Sequence, residues 1–418
     1  MLKANKPGPD KSLQRNEKKN SLHSSLGPVL ALAHLCGLLP VHGIFASNPK
    51  YLRYKLNSYL GWYSATIFFS MATLAGLSMI HTARSLRSDT FSVLGGLAGA
   101  TAGTIFYANA AVATYLFWRL ASRWRPLMLQ WAAVEHQIRQ SHPTPQKARL
   151  KTLALTGTVL LLAMAEHGLS ISTHSKSNSL TEWVKNYSLS SHPFIFSSLE
   201  YSFALGVAVQ ILSRIATVTW NFTDLFLMII GQSLTLRFDQ FNNSILKHTL
   251  TRHQWSGART QFASLAHLTR SVDAQISGII FLSFANNLYF ICMQLLNGLT
   301  PYEGADRMMH SVYYWASFSF LLSRTAAVTI YLSNVHVASK NGLPAVYACP
   351  SGTFTQDTER LLNQMSSDEL SLTGLGLFHV TRSFLLAVAG AIATYEVVLI
   401  QFNVAIIQTN PGNATKIN

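Results

Sequence analysis

The sequence predicts an all-α membrane protein: seven transmembrane helices, N-terminus inside and C-terminus outside, with helices prolonged into a cytosolic helical anchor domain. Three observations carry that prediction. Hydrophobic residues make up 49% of the 418-residue chain and charged residues only 12%, about half the share of ~25% usual in soluble domains. Seven runs reach the roughly 20 mainly apolar residues that a spanning helix requires. Lys and Arg are shared very unequally between the connections on the two sides of those runs.

Taken in order, residues 1–25 read as a disordered cytosolic tail. They are basic and polar, broken by Pro7 and Pro9, and no apolar stretch follows the charges directly, so no cleavable signal is expected. Residues 26–220 hold a short apolar run at 28–45, broken by Pro40, which suits a re-entrant or interfacial segment. Spans at 58–81, 91–118, 152–172 and 196–220 follow it. From Phe196 to about Leu246 no Pro and only two Gly interrupt the apolar periodicity. A helix of that length is about 75 Å long against a hydrocarbon core of ~30 Å, so residues 221–275 are expected to project as a cytosolic helical extension. Residues 276–335 contain spans five and six (277–299 and 311–333). Residues 336–383 form a cytosolic anchor segment, 384–409 the last helix and 410–418 an extracellular tail. No internal repeat is evident, which disfavours a transporter built from duplicated halves.

Orientation follows from the positive charge. Before the first span, between the second and third, and after the fourth stand twenty-one Lys and Arg, among them Lys50, Arg53, Arg119, Arg123, Arg149, Lys151, Arg237 and Arg259. The opposite connections carry six: Arg84, Arg87, Lys176, Lys185, Arg307 and Lys416. The net charge of +15 is therefore membrane-facing charge, with lipid as its partner and no nucleic acid implied. Glycosylation sequons at Asn186 and Asn413 fall on the predicted outside, whereas those at Asn221 and Asn242 fall in or below the membrane and should go unused.

No enzymatic constellation is present. The chain lacks a Gly-x-Ser-x-Gly elbow, a His-Glu-x-x-His helix and a phosphate-binding glycine loop. Its fifteen His are scattered without metal-ligand spacing, and three Cys make no disulfide framework. Neither cofactor nor metal is expected. The glycines at 95, 96, 99 and 103 lie inside a span at spacings that favour close helix packing. Polar groups within spans are the informative residues, because each is costly there. Glu166 and His167 on the third span, Glu200 near the fourth, Asn286, Asn287 and Tyr289 on the fifth, and Tyr314 and Trp315 on the sixth all reach one outward-facing depth. Carboxylates and amides bond hydroxyls and aromatic faces stack on C–H surfaces, so this set is a candidate pocket for a small polyhydroxylated molecule; the competing reading is interhelical bonding that holds the bundle together. Arg324, mid-span, requires a buried partner that the sequence does not identify.

The last span reads Ala393-Thr394-Tyr395-Glu396-Val397-Val398-Leu399-Ile400-Gln401-Phe402. Thr394, Tyr395, Gln401 and Phe402 in this spacing resemble the C-terminal signature of insect gustatory receptors. The stretch SLTGLGLFHVTRSFLLAVAGAIATYEVVLIQF at 371–402, SFANNLYFICMQLL at 283–296 and the early PVLALAHLCGLLPVHGI resemble the sugar-sensing branch of that family. Glu396 departs from the all-apolar signature in the way that branch often does.

The resemblance implies a ligand-gated, non-selective cation channel, a homotetramer or a heterotetramer with related subunits, opened by an extracellular mono- or disaccharide. It implies a plasma-membrane location in gustatory neuron dendrites. It also implies that the last helix lines the pore, with Val398, Gln401 and Phe402 near the constriction. Alternatives from other classes are a seven-helix G-protein-coupled receptor, whose orientation is the reverse, and a membrane transporter.

Overall fold

The computed structural model describes residues 21–85, 95–139, 148–174, 179–197, 199–246, 250–298 and 307–409. Twelve α-helices, one 3-10 turn (Pro49–Tyr51) and two short hairpins occur among the described residues. Helix α1 (Leu22–Leu35) is capped by the Ser21 side chain and leads into strands β1 (Val41–His42) and β2 (Arg53–Tyr54), which pair antiparallel. Helices α2 (Tyr59–Ser85), α3 (Gly95–Arg139) and α4 (Ala148–His174) follow. Two short helices, α5 (Leu180–Ser191) and α6 (Pro193–Phe196), precede α7 (Phe203–Leu246), α8 (Arg252–Gly298) and α9 (Arg307–Lys340). The chain closes with α10 (Leu343–Tyr347), α11 (Gln356–Ser367), the hairpin β3 (Thr373–Gly374) and β4 (Phe378–His379), and α12 (Arg382–Thr409).

Among the described residues, α2, α4, α7 and α8 are long and apolar enough to cross a membrane by length and composition. The other three expected spans coincide with parts of α3, α9 and α12. Three helices run far beyond a bilayer's thickness: 45 residues in α3, 44 in α7 and 47 in α8, or about 66–70 Å each. The expected continuous helix from Phe196 starts instead at Phe203. Here Ser202 ends the preceding irregular segment, its hydroxyl accepting from the Leu205 N–H at 3.3 Å in the manner of an N-cap, while Tyr201 folds back to pack on Phe196.

The main core lies where the basic ends of α3, α7 and α8 meet α1, α9 and the segments around α10 and α11. Every residue from Asn221 through Gly231 is buried, as expected for a helix surrounded on all sides. The α7–α9 approach is close enough that a Cβ at Gly231 would lie 2.6 Å from the Tyr331 carbonyl oxygen. A smaller cluster at the other end joins α2, α3, α6 and α7 around Met71, Tyr107, Phe194 and Val209.

Glu135 is the polar centre of the main core. Its Oε1 accepts from Arg237 Nη2 at 2.6 Å, Trp131 Nε1 at 3.2 Å and the Leu22 backbone N–H at 3.1 Å. One carboxylate thus ties α3 to α7 and caps the first turn of α1, where a negative charge is favoured by the helix dipole. The run at 28–45, expected to be re-entrant or interfacial, supplies the second half of α1, strand β1 and part of this core.

The last helix is held differently. Only one stripe of α12, including Phe384, Leu385, Val388, Ile392 and Tyr395, is partly covered, and most of its remaining described positions are exposed. Phe384 packs face to face on Phe378 of the preceding hairpin at 4.6 Å. That hairpin turns through Leu375 and Gly376 at positive φ. It is fastened to α8 by Asp273, which accepts from the Thr373 backbone N–H at 2.6 Å and hydroxyl at 2.9 Å.

Candidate functional site

A cavity of about 280 Å³ opens between α3, α4, α5, α7, α8 and α9, in the half of the bundle away from the Glu135 core. This is near the lower bound of small-molecule pockets, roughly 300–1,000 Å³. Helix α4 contributes Glu166 and His167, one face of it turning both toward α7 and α9. Glu166 accepts from the Ser317 hydroxyl at 3.1 Å, and Gln294 Nε2 donates to the same hydroxyl at 3.1 Å. His167 Nδ1 accepts from Arg214 Nη1 at 3.0 Å, which assigns the ring proton to Nε2. Arg214 is further held by Gln210 Oε1 at 3.3 Å and by the Tyr187 ring, 5.4 Å away. Tyr187 comes from α5, whose Trp183 stacks against it at 5.2 Å.

The floor is built on α7, α8 and α9. Trp220 and Phe290 lie 4.6 Å apart, and the Arg324 guanidinium sits 4.5 Å over the Trp220 ring and 5.3 Å from that of Phe320. Asp224, fully buried, is the partner that the sequence left unnamed: its Oδ2 lies 2.8 Å from Arg324 Nε. Ser283 donates to Asp224 Oδ1 at 2.5 Å and Asn287 Nδ2 to Oδ2 at 3.0 Å. Arg324 also donates to the Asn221 side-chain oxygen, and Trp220 Nε1 donates to Asn287 Oδ1 at 2.7 Å. Such a buried pair is sustained by the hydrogen bonds that surround it, since the desolvation of both charges is costly.

The expected residues separate into four groups. Glu166 and His167 line the cavity, and Asn287 lies beneath its floor. Two tyrosines bond to neighbouring helices: Tyr289 to the Thr101 hydroxyl of α3 at 2.7 Å, and Tyr314 to the Gln294 carbonyl at 3.0 Å. Asn286 is buried, with neither amide atom bonded among the described residues. Glu200 is exposed between α6 and α7, and Trp315, 62% exposed, faces away from the cavity against Tyr314 and Phe318. Sequence reasoning missed Asp224, Trp220 and Arg214 as cavity or floor residues. The available signal was the coincidence of one carboxylate and one guanidinium, Asp224 and Arg324, inside neighbouring apolar helices.

On α12, Thr394 donates to the Gly390 carbonyl at 2.9 Å, and Val398 and Gln401 are exposed. The Phe402 side chain and Asn413 lie outside the described residues. Asn186 is exposed on α5, whereas Asn221 and Asn242 are buried, the latter donating to the Ala338 carbonyl at 2.7 Å. No cluster of metal-ligating side chains occurs among the described residues.

With this geometry in hand, residues 6–408 match the family described as trehalose receptor. The chain is 33% identical over 402 residues to the gustatory receptor 5a for trehalose of Drosophila melanogaster, covering 93% of this chain and 88% of that one. It is 31% identical to the gustatory receptor for sugar taste 64f of the same organism, over 94% of this chain and 84% of the other. The fold is shared with the insect olfactory receptor OR5 from Machilis hrabei, at a TM-score of 0.64 and 14% identity, covering 90% of this chain and 97% of that one.

Proposed function

The chain belongs to the trehalose receptor family of insect gustatory receptors, and on that premise we propose that it is a sugar-gated, non-selective cation channel acting in sweet taste. A mono- or disaccharide enters from the outside, binds in the cavity between α4, α7, α8 and α9, and favours an open arrangement of a pore lined by α12. The observation that carries this reading is the composition of that cavity. It offers a carboxylate in Glu166, an imidazole in His167, hydroxyls and two guanidinium groups beside the Trp220, Phe290 and Phe320 rings. Hydroxyls require both donors and acceptors, and ring C–H faces require aromatic surfaces. The cavity supplies both at one depth.

Assembly around α12 is supported by its bareness. An apolar helix exposed along most of its described surface is satisfied by lipid on one side and by copies of itself about a central axis on another. Four copies, of this chain or of related subunits, would bring Val398 and Gln401 toward that axis, with Phe402 close by in the helix. The proposed topology puts the N-terminal tail and the Glu135-centred ends of α3, α7 and α8 in the cytosol as an anchor, and residues after 409 outside. The proposed location is the plasma membrane of gustatory dendrites.

Gating needs no chemical step. Sugar shifts a closed–open equilibrium only to the extent that it binds the open arrangement more tightly. Whole-cell recording from cells expressing this chain, alone or with a related subunit, tests the reading against a panel headed by trehalose. Inward cation current that scales with sugar and reverses near 0 mV is expected. Sugar-evoked signals that require a G protein would return the reading to the seven-helix receptor class.

A further inference from the structure

Arg324 is in an unusual position for a buried guanidinium. Its charge is already matched by Asp224, yet its donors are not all used. The planar group carries five N–H bonds. Nε lies 2.8 Å from the Asp224 carboxylate as an ion pair without hydrogen-bond alignment, Nη1 donates once to Asn221, and Nη2 makes one long contact of 3.4 Å with Asn287. One N–H on each terminal nitrogen is left without an acceptor among the described residues. The side chain is 4% exposed, held over the Trp220 ring, and lines the cavity.

We propose that Arg324 is the specificity-determining residue of the cavity, the unused N–H groups of its two terminal nitrogens donating to a pair of adjacent hydroxyl oxygens on an uncharged sugar. This rests on the reading of the cavity as the sugar site. Guanidinium forks match two acceptors held side by side, which is why they pair with carboxylates in a bidentate manner. A vicinal diol presents two oxygens in a comparable arrangement. Asp224, Ser283 and Asn287 fix the fork and balance its charge from behind. The other charges at the cavity, Arg214 and Glu166, are of opposite sign. Nothing therefore selects for an anion, and Glu166 accepts from hydroxyls at the far wall while Arg324 donates at the floor.

The test couples the side chain to individual ligand hydroxyls. Whole-cell currents from the full chain are measured with trehalose and its monodeoxy derivatives, for wild type and for Arg324→Lys, which keeps the positive charge against Asp224 but withdraws the fork. In wild type, removal of either of two adjacent hydroxyls is expected to raise the half-maximal concentration about tenfold or more, and removal of the others less. In Arg324→Lys, trehalose itself weakens by a similar factor, while the two sensitive deoxy sugars lose little more. A substitution acting only through packing would shift every sugar equally, and that parallel shift would overturn the proposal. Should Arg324→Lys fail to reach the surface, the wild-type deoxy scan still decides it: sensitivity at no pair of adjacent positions refutes it. Stronger activation by a sugar acid such as glucuronate than by glucose also refutes it, because the fork would then be reading charge. Absence of any sugar current from wild type is a separate result and sinks the proposed function itself.

Discussion

Replacing Glu135 by leucine removes the acceptor that joins three elements of the main core, and its cost follows from the contacts. Arg237 and Glu135 are 2% and 4% exposed at the side chain and lie 2.6 Å apart. Removing one partner of such a pair strands a buried charge, at about 3–5 kcal/mol. The Leu22 N–H and Trp131 Nε1–H lose the same acceptor, and orphaned buried donors cost about 1–3 kcal/mol each. Converting the pair together, Glu135→Leu with Arg237→Met, removes the fully buried stranded charge and leaves the two orphaned donors, together with the part-exposed Arg139, which loses its 3.3 Å bond to Glu135 Oε2 in both variants. The double variant should therefore be more stable than Glu135→Leu alone by about 3 kcal/mol. Thermal unfolding of the purified protein in detergent measures the order, and hydrogen exchange at the first turn of α1 reports the lost Leu22 bond. Equal destabilisation of single and double variants, with α1 exchange unchanged, would refute the idea that Glu135 is the common anchor.

Further expected outcomes are these. Glu166→Ala should raise the half-maximal sugar concentration about tenfold with surface expression preserved, whereas Trp315→Ala, outside the cavity, should leave it unchanged; dose–response curves decide both. An epitope placed after Asn418 should be labelled on intact cells and one before Met1 only after permeabilisation; the reverse result would invert the topology. Gly231→Leu should prevent the α7–α9 approach and lower folded yield sharply, because the new side chain meets the Tyr331 backbone rather than a side chain that can move; size-exclusion recovery in detergent reads the loss. Asp357 is held below the ordinary carboxylate range by its bond from Arg259 at 2.6 Å. Its stabilising share is present above the ordinary carboxylate pKa and lost only as pH falls through the lowered one. Going from pH 7 to 5 should leave exchange protection of α11 unchanged, while Asp357→Asn at pH 7 should reduce it.

The helical architecture was legible because apolar run length is a local property. The runs at 58–81, 152–172 and 384–408 coincide with α2, α4 and α12 to within a few residues. The extension of α7 to Leu246 was legible for the same reason, while its start was not, since the break before Phe203 depends on the Ser202 cap and on Tyr201 packing against Phe196. Within the cavity, Glu166 and His167 stood out as polar residues in an apolar run. Asp224 did not, because the stretch around it was read as the beginning of the cytosolic helical extension, outside the spans in which polar residues were sought, whereas it is buried beneath the cavity. Trp315 lies on a face of α9 other than the one that brings Tyr313 and Ser317 to the cavity. Depth is set by position along the chain, and rotation about the helix axis is set by neighbours that only the folded structure supplies.

The measurement that bears most directly on the central claim is single-channel recording from the purified chain reconstituted in a planar lipid bilayer, with trehalose, sucrose, glucose and fructose added to one side. A sugar-gated channel predicts discrete current steps whose open probability rises with sugar on the side facing residues 410–418, with no nucleotide or second protein added. Folded, sugar-binding protein that never conducts, or transports sugar without discrete current steps, would contradict it.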